Sequence, residues 1–263
     1  MAVRKGVLID ISKCIGCRAC QVACKEWNNL PAEKTYNFGS YENPPHLSGE
    51  TWNIIKFYES TDEGKVMWHF KRHGCHHCSD ANCLEGCPTG AIKRSPSGMV
   101  FIDQEICIGC KNCIQLCPFG IPHLNEKTGT TMKCTGCFDR VENGDMPACA
   151  KACPTGALTF GNRSQLLAMA YERLNILRMQ GNKRASIYGE KELGGLGFFY
   201  ILLDDPEFYG LPKNPKVVSK YFYNILSNSF IGLISAAVIS LGAIFTFRDR
   251  RKLPKNDEKE NRK

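Results

Sequence analysis

The chain has 263 residues, a length that fits one large domain or two small ones. A formal net charge of +8 raises nucleic acid as a partner, but the basic residues are not gathered in one arm. The densest basic stretch follows an apolar segment near the carboxyl end, so the balance points to a membrane surface and away from nucleic acid. Sixteen cysteines exclude the view that an apolar core alone stabilises the fold.

In chain order, Val3-Arg4-Lys5 leads directly into Val7-Leu8-Ile9, a predicted strand. The amino end lacks the apolar stretch of roughly 7–15 residues and the cleavage site of a secretory signal, so no signal is expected. The first cysteine run follows: Cys14, Cys17, Cys20 and Cys24, with the spacing C-x2-C-x2-C-x3-C. That spacing suits a [4Fe–4S] cube, which needs four thiolates. Three cysteines sit on one tight loop. The last, on the following turn, points away and in two-cluster ferredoxins ligates the other cube. Residues 25–74 read as an insertion rich in Pro, Asn and aromatics, with strands expected at Trp52–Tyr58 and Val66–Phe70.

The second run is Cys75, Cys78, Cys83 and Cys87; the third, Cys107, Cys110, Cys113 and Cys117, has the spacing of the first. Residues 119–133 predict a loop or hairpin turning at Lys127-Thr128-Gly129. The fourth run is Cys134, Cys137, Cys149 and Cys153, and no cysteine lies outside the four runs. Proline follows the last cysteine in three of them, as Cys87-Pro88, Cys117-Pro118 and Cys153-Pro154; the first run has Lys25 instead. Gly16, Gly109 and Gly136 give the loops freedom to aim backbone N–H groups at sulfur.

The runs repeat with their surroundings. Val7-Leu8-Ile9-Asp10 precedes the first and Val100-Phe101-Ile102-Asp103 the third. Cys87-Pro88-Thr89-Gly90-Ala91-Ile92 recurs as Cys153-Pro154-Thr155-Gly156-Ala157-Leu158. These are halves of two ferredoxin-like units, each strand, cluster loop, short helix and return strand. Sixteen thiolates serve four [4Fe–4S] clusters, and four clusters in one chain make an electron wire with no catalytic residue.

Other uses of cysteine fit less well. Disulfides explain an even count but not the repeated gaps or the Cys-Pro pairs. Structural zinc uses two C-x2-C pairs across a longer spacer, which suits the fourth run alone. Haem attachment needs His directly after the second cysteine, and Cys75-His76-His77-Cys78 is followed by Ser79. Lys111 and Lys133, beside cysteines, are candidates for raising cluster potentials. Trp27, Trp52, Trp68, His73, His76 and His77 lie among the runs and are expected to pack or hydrogen-bond.

Residues 162–185 predict an amphipathic helix, with Leu166, Leu167, Ala170, Leu174, Leu177 and Arg178 near a 3.6-residue period and Ser164 as N-cap. Gly194–Leu203 is a glycine-led apolar stretch, and Asp204–Pro215 is turn-rich. Ile225 to Phe247 is 23 residues without a charge. As a helix it spans about 35 Å, enough for a hydrocarbon layer of about 30 Å. Gly232, Ser235, Ala236, Ser240, Gly242 and Ala243 suit close packing against another membrane helix. Arg248, Arg250, Arg251, Lys252 and Lys255 follow it, against Lys213, Lys216 and Lys220 before it. The excess places the carboxyl end in the cytoplasm and the cluster domain on the far, periplasmic side. Clusters are built inside the cell, so the domain is expected to cross already folded, with a partner that carries a twin-arginine signal.

The expected fold class is therefore α+β: two ferredoxin-like [4Fe–4S] units with an insertion, then one C-terminal transmembrane helix. The first unit is discontinuous (1–24 and 130–165), the insertion is 25–74 and the second unit 75–129. A helix and extended connection (166–220), the transmembrane helix (221–247) and a basic cytoplasmic tail (248–263) follow.

The four runs, Cys24-Lys25-Glu26-Trp27-Asn28, Cys75-His76-His77-Cys78 and a tail helix after Leu211-Pro212-Lys213 resemble the iron–sulfur beta subunit of respiratory formate dehydrogenase. The resemblance covers essentially the whole chain. The four-cluster pattern is also similar to electron-transfer subunits of other molybdopterin oxidoreductases and of membrane hydrogenases. Nitrate reductase subunits replace one cysteine with tryptophan, and here all sixteen are present. The resemblance implies a ligand pairing of first run with fourth and second with third. One cluster takes Cys14, Cys17, Cys20 and Cys153; its neighbour takes Cys24, Cys134, Cys137 and Cys149. A third takes Cys75, Cys78, Cys83 and Cys117, and the last Cys87, Cys107, Cys110 and Cys113. It also implies a large catalytic subunit with a molybdenum or tungsten pterin, a membrane cytochrome b or other quinone-reactive subunit, and a place in the inner membrane. The alternatives are the same wire in a membrane hydrogenase or in a sulfur-compound or sulfoxide reductase, a free multi-cluster ferredoxin, and a zinc-dependent protein of the membrane surface.

Overall fold

A computed structural model of the chain describes residues 3–37, 39–62, 64–217 and 240–242. The strand predicted before the first cysteine run is β1 (Lys5–Asp10), whose residues from Gly6 onward are buried. It lies inside a four-stranded sheet ordered β8-β1-β10-β9. β8 (Leu158–Asn162) pairs antiparallel with β1, placing Ile9 opposite Leu158. β10 (Phe198–Leu202) pairs parallel with β1 on the other side, Val7 opposite Phe198. β9 (Ser186–Tyr188) completes the sheet. All five residues of β10 are buried, which explains why Phe-Phe-Tyr-Ile-Leu is continuously apolar and not alternating. The stretch read from the sequence only as part of an extended connection is thus an inner strand of the first sheet.

The sequence repeat is a structural repeat. In one copy β1 pairs with β8; in the other β4 (Ile92–Arg94) pairs antiparallel with β5 (Val100–Ile102), Ile92 opposite Ile102. The same backbone bond closes both copies: Asp10 N–H donates to Ala157 O and Asp103 N–H to Ala91 O, each at 2.8 Å. Short helices follow the cysteine loops, with α1 (Ala19–Trp27) against α5 (Ala148–Lys151) and α2 (Asn82–Glu85) against α3 (Asn112–Leu116). α4 (Phe138–Glu142) lies within the fourth run.

Between the first and second cysteine runs lies a long antiparallel hairpin, β2 (Asn53–Asp62) with β3 (Lys65–Gly74), in which Asn53 faces Gly74. The strands run further than the sequence suggested. β6 (His123–Asn125) and β7 (Thr130–Met132) form the predicted small hairpin. The amphipathic helix is α6, Arg163–Met179, and buries Leu166, Ala170, Leu174 and Leu177. It begins with Asn162, not Ser164, as N-cap, and no side chain caps it. Arg163 N–H instead reaches Arg4 O at 3.0 Å, so the neighbouring chain supplies the acceptor that a capping side chain otherwise provides. α6 covers β1 and β8.

The chain divides into Met1–Val217 and Val218–Lys263. The predicted membrane segment 225–247 lies outside the described residues except for 240–242, which are helical. Among the described residues no helix is long and apolar enough to cross a membrane.

Ile201 of β10 has no exposed surface, so Ile201→Ala should destabilise the loaded protein by about 2–5 kcal/mol. Met179→Ala, at a position 80% exposed, should change little. Chemical unfolding followed by the visible absorption of bound iron–sulfur checks the contrast.

Candidate metal centres

The four runs use one loop geometry. The residue before the second cysteine is left-handed in every run: Gly16 (φ 68°), Gly109 (φ 65°), Gly136 (φ 70°) and, in the second, His77 (φ 49°). In three of the runs the turn aims that residue's N–H at the first sulfur. His77 N–H donates to Cys75 Sγ at 3.5 Å and Gly136 N–H to Cys134 Sγ at 3.4 Å; Gly16 N–H does the same for Cys14. At Gly109 a β-carbon would lie 2.0 Å from Gly129 O, so no other residue fits. The repeated Cys-Pro-Thr-Gly segments also match, with Thr89 Oγ1 3.7 Å from Cys87 Sγ and Thr155 Oγ1 3.8 Å from Cys153 Sγ.

These loops bring thiols of different runs together. Cys14 has Cys153 and Cys17 as electrostatic neighbours, and Cys20 has Cys14 and Cys153. Cys24 faces Cys134, Cys149 and Cys137. Cys78 faces Cys75, Cys117 and Cys83. Cys113 faces Cys107, Cys110 and Cys87, and these four thiols line one cavity with Thr131, Ile92 and Ile102. Burial pushes Cys20 up to about 11 and Cys83, Cys137 and Cys149 up to about 12. Metal-free, such thiols are neutral at pH 7, and an iron that binds them must displace their protons.

Arg72 opposes that cost. It is buried to 1% exposure at the end of β3, and among the described residues no carboxylate pairs with it. Its Nη2 donates to Cys134 Sγ at 3.7 Å, and its guanidinium stacks 4.9 Å from the Phe198 ring centroid. Burial alone would lower its proton affinity, but Cys149, Cys134, Tyr200 and Cys20 more than reverse this and hold it firmly cationic. Lys133, 3% exposed, donates to Val100 O and to Cys134 O and acts electrostatically on Cys83 and Cys117. Lys111, the other candidate, is exposed on its loop.

This setting fits an anionic sulfur-rich group. Arg72 Nε and both ring nitrogens of His76 are buried without a hydrogen-bond partner; Nε–H and the single N–H of the neutral imidazole are donors, and cluster sulfurs are acceptors for them. Among the described residues no three His, Cys, Asp or Glu side chains converge on a single metal ion; around a cube each thiolate has its own iron, so such convergence is not required. Most of the aromatic and His residues flagged in the sequence pack. Trp27 lies 4.1 Å from the Arg140 guanidinium and donates to Asp139 at 3.0 Å. Trp52 donates to Gly49 O at 2.9 Å. Trp68 joins Tyr41, Phe57 and Phe70. His76 lies 4.1 Å from the Phe119 ring. Burial, reinforced by Lys71 and other cations, pushes His73 down to about 3. Sequence reasoning missed Arg72, whose only signal is a charged Lys-Arg pair at the end of the strand that runs into Cys75.

Two family models match the chain, both described as 4Fe-4S dicluster domains, over residues 13–91 and 66–163. The nitrate-inducible formate dehydrogenase iron-sulfur subunit of Escherichia coli K12 is 46% identical over 214 residues, 80% of this chain and 73% of that protein. The chain belongs to the formate dehydrogenase iron–sulfur subunits. The corresponding subunit of Haemophilus influenzae is 41% identical over 80% of this chain and 69% of its own length. The B subunit of anaerobic dimethyl sulfoxide reductase from Escherichia coli K12 is 36% identical over 63% of this chain and 77% of its own length. This formate dehydrogenase iron–sulfur subunit is a non-catalytic electron-transfer protein, and its sixteen cysteines serve four [4Fe–4S] clusters.

Removing the Arg72 charge should lower cluster midpoint potentials, because a reduced cluster carries more negative charge. Arg72→Met should also destabilise the loaded protein by about 3–5 kcal/mol, while Arg72→Lys should keep most of the potential. Redox titration followed by electron paramagnetic resonance, alongside iron content, checks both.

Proposed function

We propose that this subunit carries electrons from a large molybdenum- or tungsten-pterin subunit, where formate is oxidised, to a membrane cytochrome b or other quinone-reactive subunit. The reading rests most on one observation: thiols of the first run meet those of the fourth, and thiols of the second meet those of the third. We assign Cys14, Cys17, Cys20 and Cys153 to one cluster and Cys24, Cys134, Cys137 and Cys149 to its neighbour. Cys75, Cys78, Cys83 and Cys117 hold the third; Cys87, Cys107, Cys110 and Cys113 hold the fourth. Each cluster supplies a site for one electron. The chain's own residues fix these sites and tune them through Arg72, Lys133 and the loop N–H donors.

The partition into 1–24 with 130–165, 25–74 and 75–129 belongs to the same proposal and is supported by the β1–β8 and β4–β5 pairings. Its proposed continuation is the connection over 166–220, a single transmembrane helix within 221–247 and a basic tail over 248–263. The uncharged stretch from Ile225 to Phe247 and the five basic residues after it support a single pass in the inner membrane. The tail then faces the cytoplasm and the cluster domain the periplasm.

Cys153→Ser should damage the cluster held by Cys14, Cys17 and Cys20 and spare the one completed by Cys24. Loss of the opposite signal in electron paramagnetic resonance defeats the pairing. The native complex, extracted from membranes in mild detergent, should reduce dye with formate and contain a large pterin subunit. Sulfoxide or hydrogen turnover without formate turnover would assign the wire to a sister complex.

A further inference from the structure

His77 breaks the pattern of the four loops. The other three place glycine at the left-handed residue before the second cysteine, and the second run places a histidine there at φ 49°. A β-carbon is strained in that conformation, and such strain persists where the surroundings enforce it. They do so here. His77 has no exposed surface. Its carbonyl accepts from Gly197 N–H at 3.1 Å, and the His76 carbonyl accepts from Phe198 N–H at 2.9 Å. The strand β10 therefore clamps the loop from outside the cysteine runs.

The ring is fixed as firmly. Val100 N–H donates to His77 Nδ1 at 3.0 Å, so Nδ1 carries no hydrogen. The ring proton is then on Nε2, which lies 3.6 Å from Cys134 Sγ and is its donor. Gly136 leaves the room: a β-carbon there would be 3.0 Å from His77 Cε1. The backbone N–H of His77 donates to Cys75 Sγ at 3.5 Å. One residue thus donates to Cys134, from the fourth run, and to Cys75, from the second.

We propose that His77 joins the two cluster pairs electrically, its ring N–H holding the Cys134 sulfur and its backbone N–H the Cys75 sulfur at the point where electrons cross. This rests on the ligand assignment above, in which Cys134 and Cys75 belong to different units. A donor to sulfur raises cluster potential, so the ring makes the Cys134 cluster easier to reduce. Crossing is a one-electron exchange: one cluster is oxidised as the other is reduced. No bond of His77 forms or breaks, and its proton stays on Nε2. His77 is a positioning residue, and the crossing places the clusters of Cys134 and Cys75 in the middle of the wire.

The test uses the full complex with all clusters loaded. Asn tolerates left-handed backbone, and in His77→Asn the side-chain oxygen still accepts from Val100 N–H while the donor toward Cys134 is lost. His77→Gln restores a donor of longer reach. Redox titration followed by electron paramagnetic resonance should show one midpoint potential shifted downward in His77→Asn, for the signal that Cys137→Ser alters, and recovered in part in His77→Gln. The rate at which electrons from formate reach the last clusters should fall in His77→Asn, in rapid-freeze samples. Unchanged potentials and rates at full iron content would overturn the proposal, as would an equal shift of all four. If His77→Asn loads poorly, the wild-type complex decides. With histidine ring nitrogens isotopically labelled, one reduced cluster should show a weak nitrogen hyperfine coupling, and its absence from every signal would overturn the proposal. A signal altered by Cys137→Ser but not by Cys134→Ser would instead defeat the ligand assignment.

Discussion

A buried cation, Arg72, with no carboxylate beside it among the described residues, governs the cluster-binding part of this protein. Sulfur-bound iron is anionic, its charge grows on reduction, and the thiols that act on Arg72, Cys20, Cys134 and Cys149, are buried. An isolated charge in such a place is costly, so thiolates and guanidinium need each other. Arg72 answers Cys134, Cys149 and Cys20 together, which come from the first and fourth runs. The same side chain that stabilises the loaded state also draws together segments that are more than a hundred residues apart.

Arg72 is delivered by the β2–β3 hairpin, so that hairpin is a structural part of the cluster machinery. β3 ends at Gly74, directly before the second run, and a β-carbon at Gly74 would lie 2.9 Å from Arg72 Nη2. Tyr200 of β10 donates to Arg72 O at 3.1 Å. Further along the hairpin, Lys71 and Tyr58 both donate to Tyr209 O, at 2.6 and 2.9 Å. The hairpin is therefore tied to the inner strand of the first sheet and to the segment that leads toward the carboxyl end. Those ties hold Arg72 against sulfur while its neighbours change charge by one electron at a time.

The electron path also shows how a repeat is made asymmetric. Two copies of strand, loop, helix and strand carry the same backbone bonds at Asp10 and Asp103, yet the second loop alone has histidine where its sisters have glycine. Repetition builds four equivalent holders. Departures from it, at His77, Arg72 and Lys133, give the holders different surroundings, and differences of charge and hydrogen bonding are what set cluster potentials apart.

The cysteine spacing alone determined the chemistry, because ligand geometry around a cube is local: three thiols within one tight loop and a fourth on the next turn. It likewise fixed the loops, the paired strands at Ile9 and Ile102 and the buried face of α6, since those follow from glycine freedom and short-range periodicity. Other features depended on contacts between distant segments. Phe198–Leu202 carries no alternation that marks it as a strand, and only pairing with β1 makes it one. Arg72 reads in the sequence as an ordinary charge before a cysteine, and its burial comes from the hairpin folding onto sulfur. His77 reads as one of several packing histidines. Its place between Cys134 and Cys75 exists only after β10 clamps the second loop against the fourth, because a hydrogen bond across fifty-seven residues leaves no trace in local spacing.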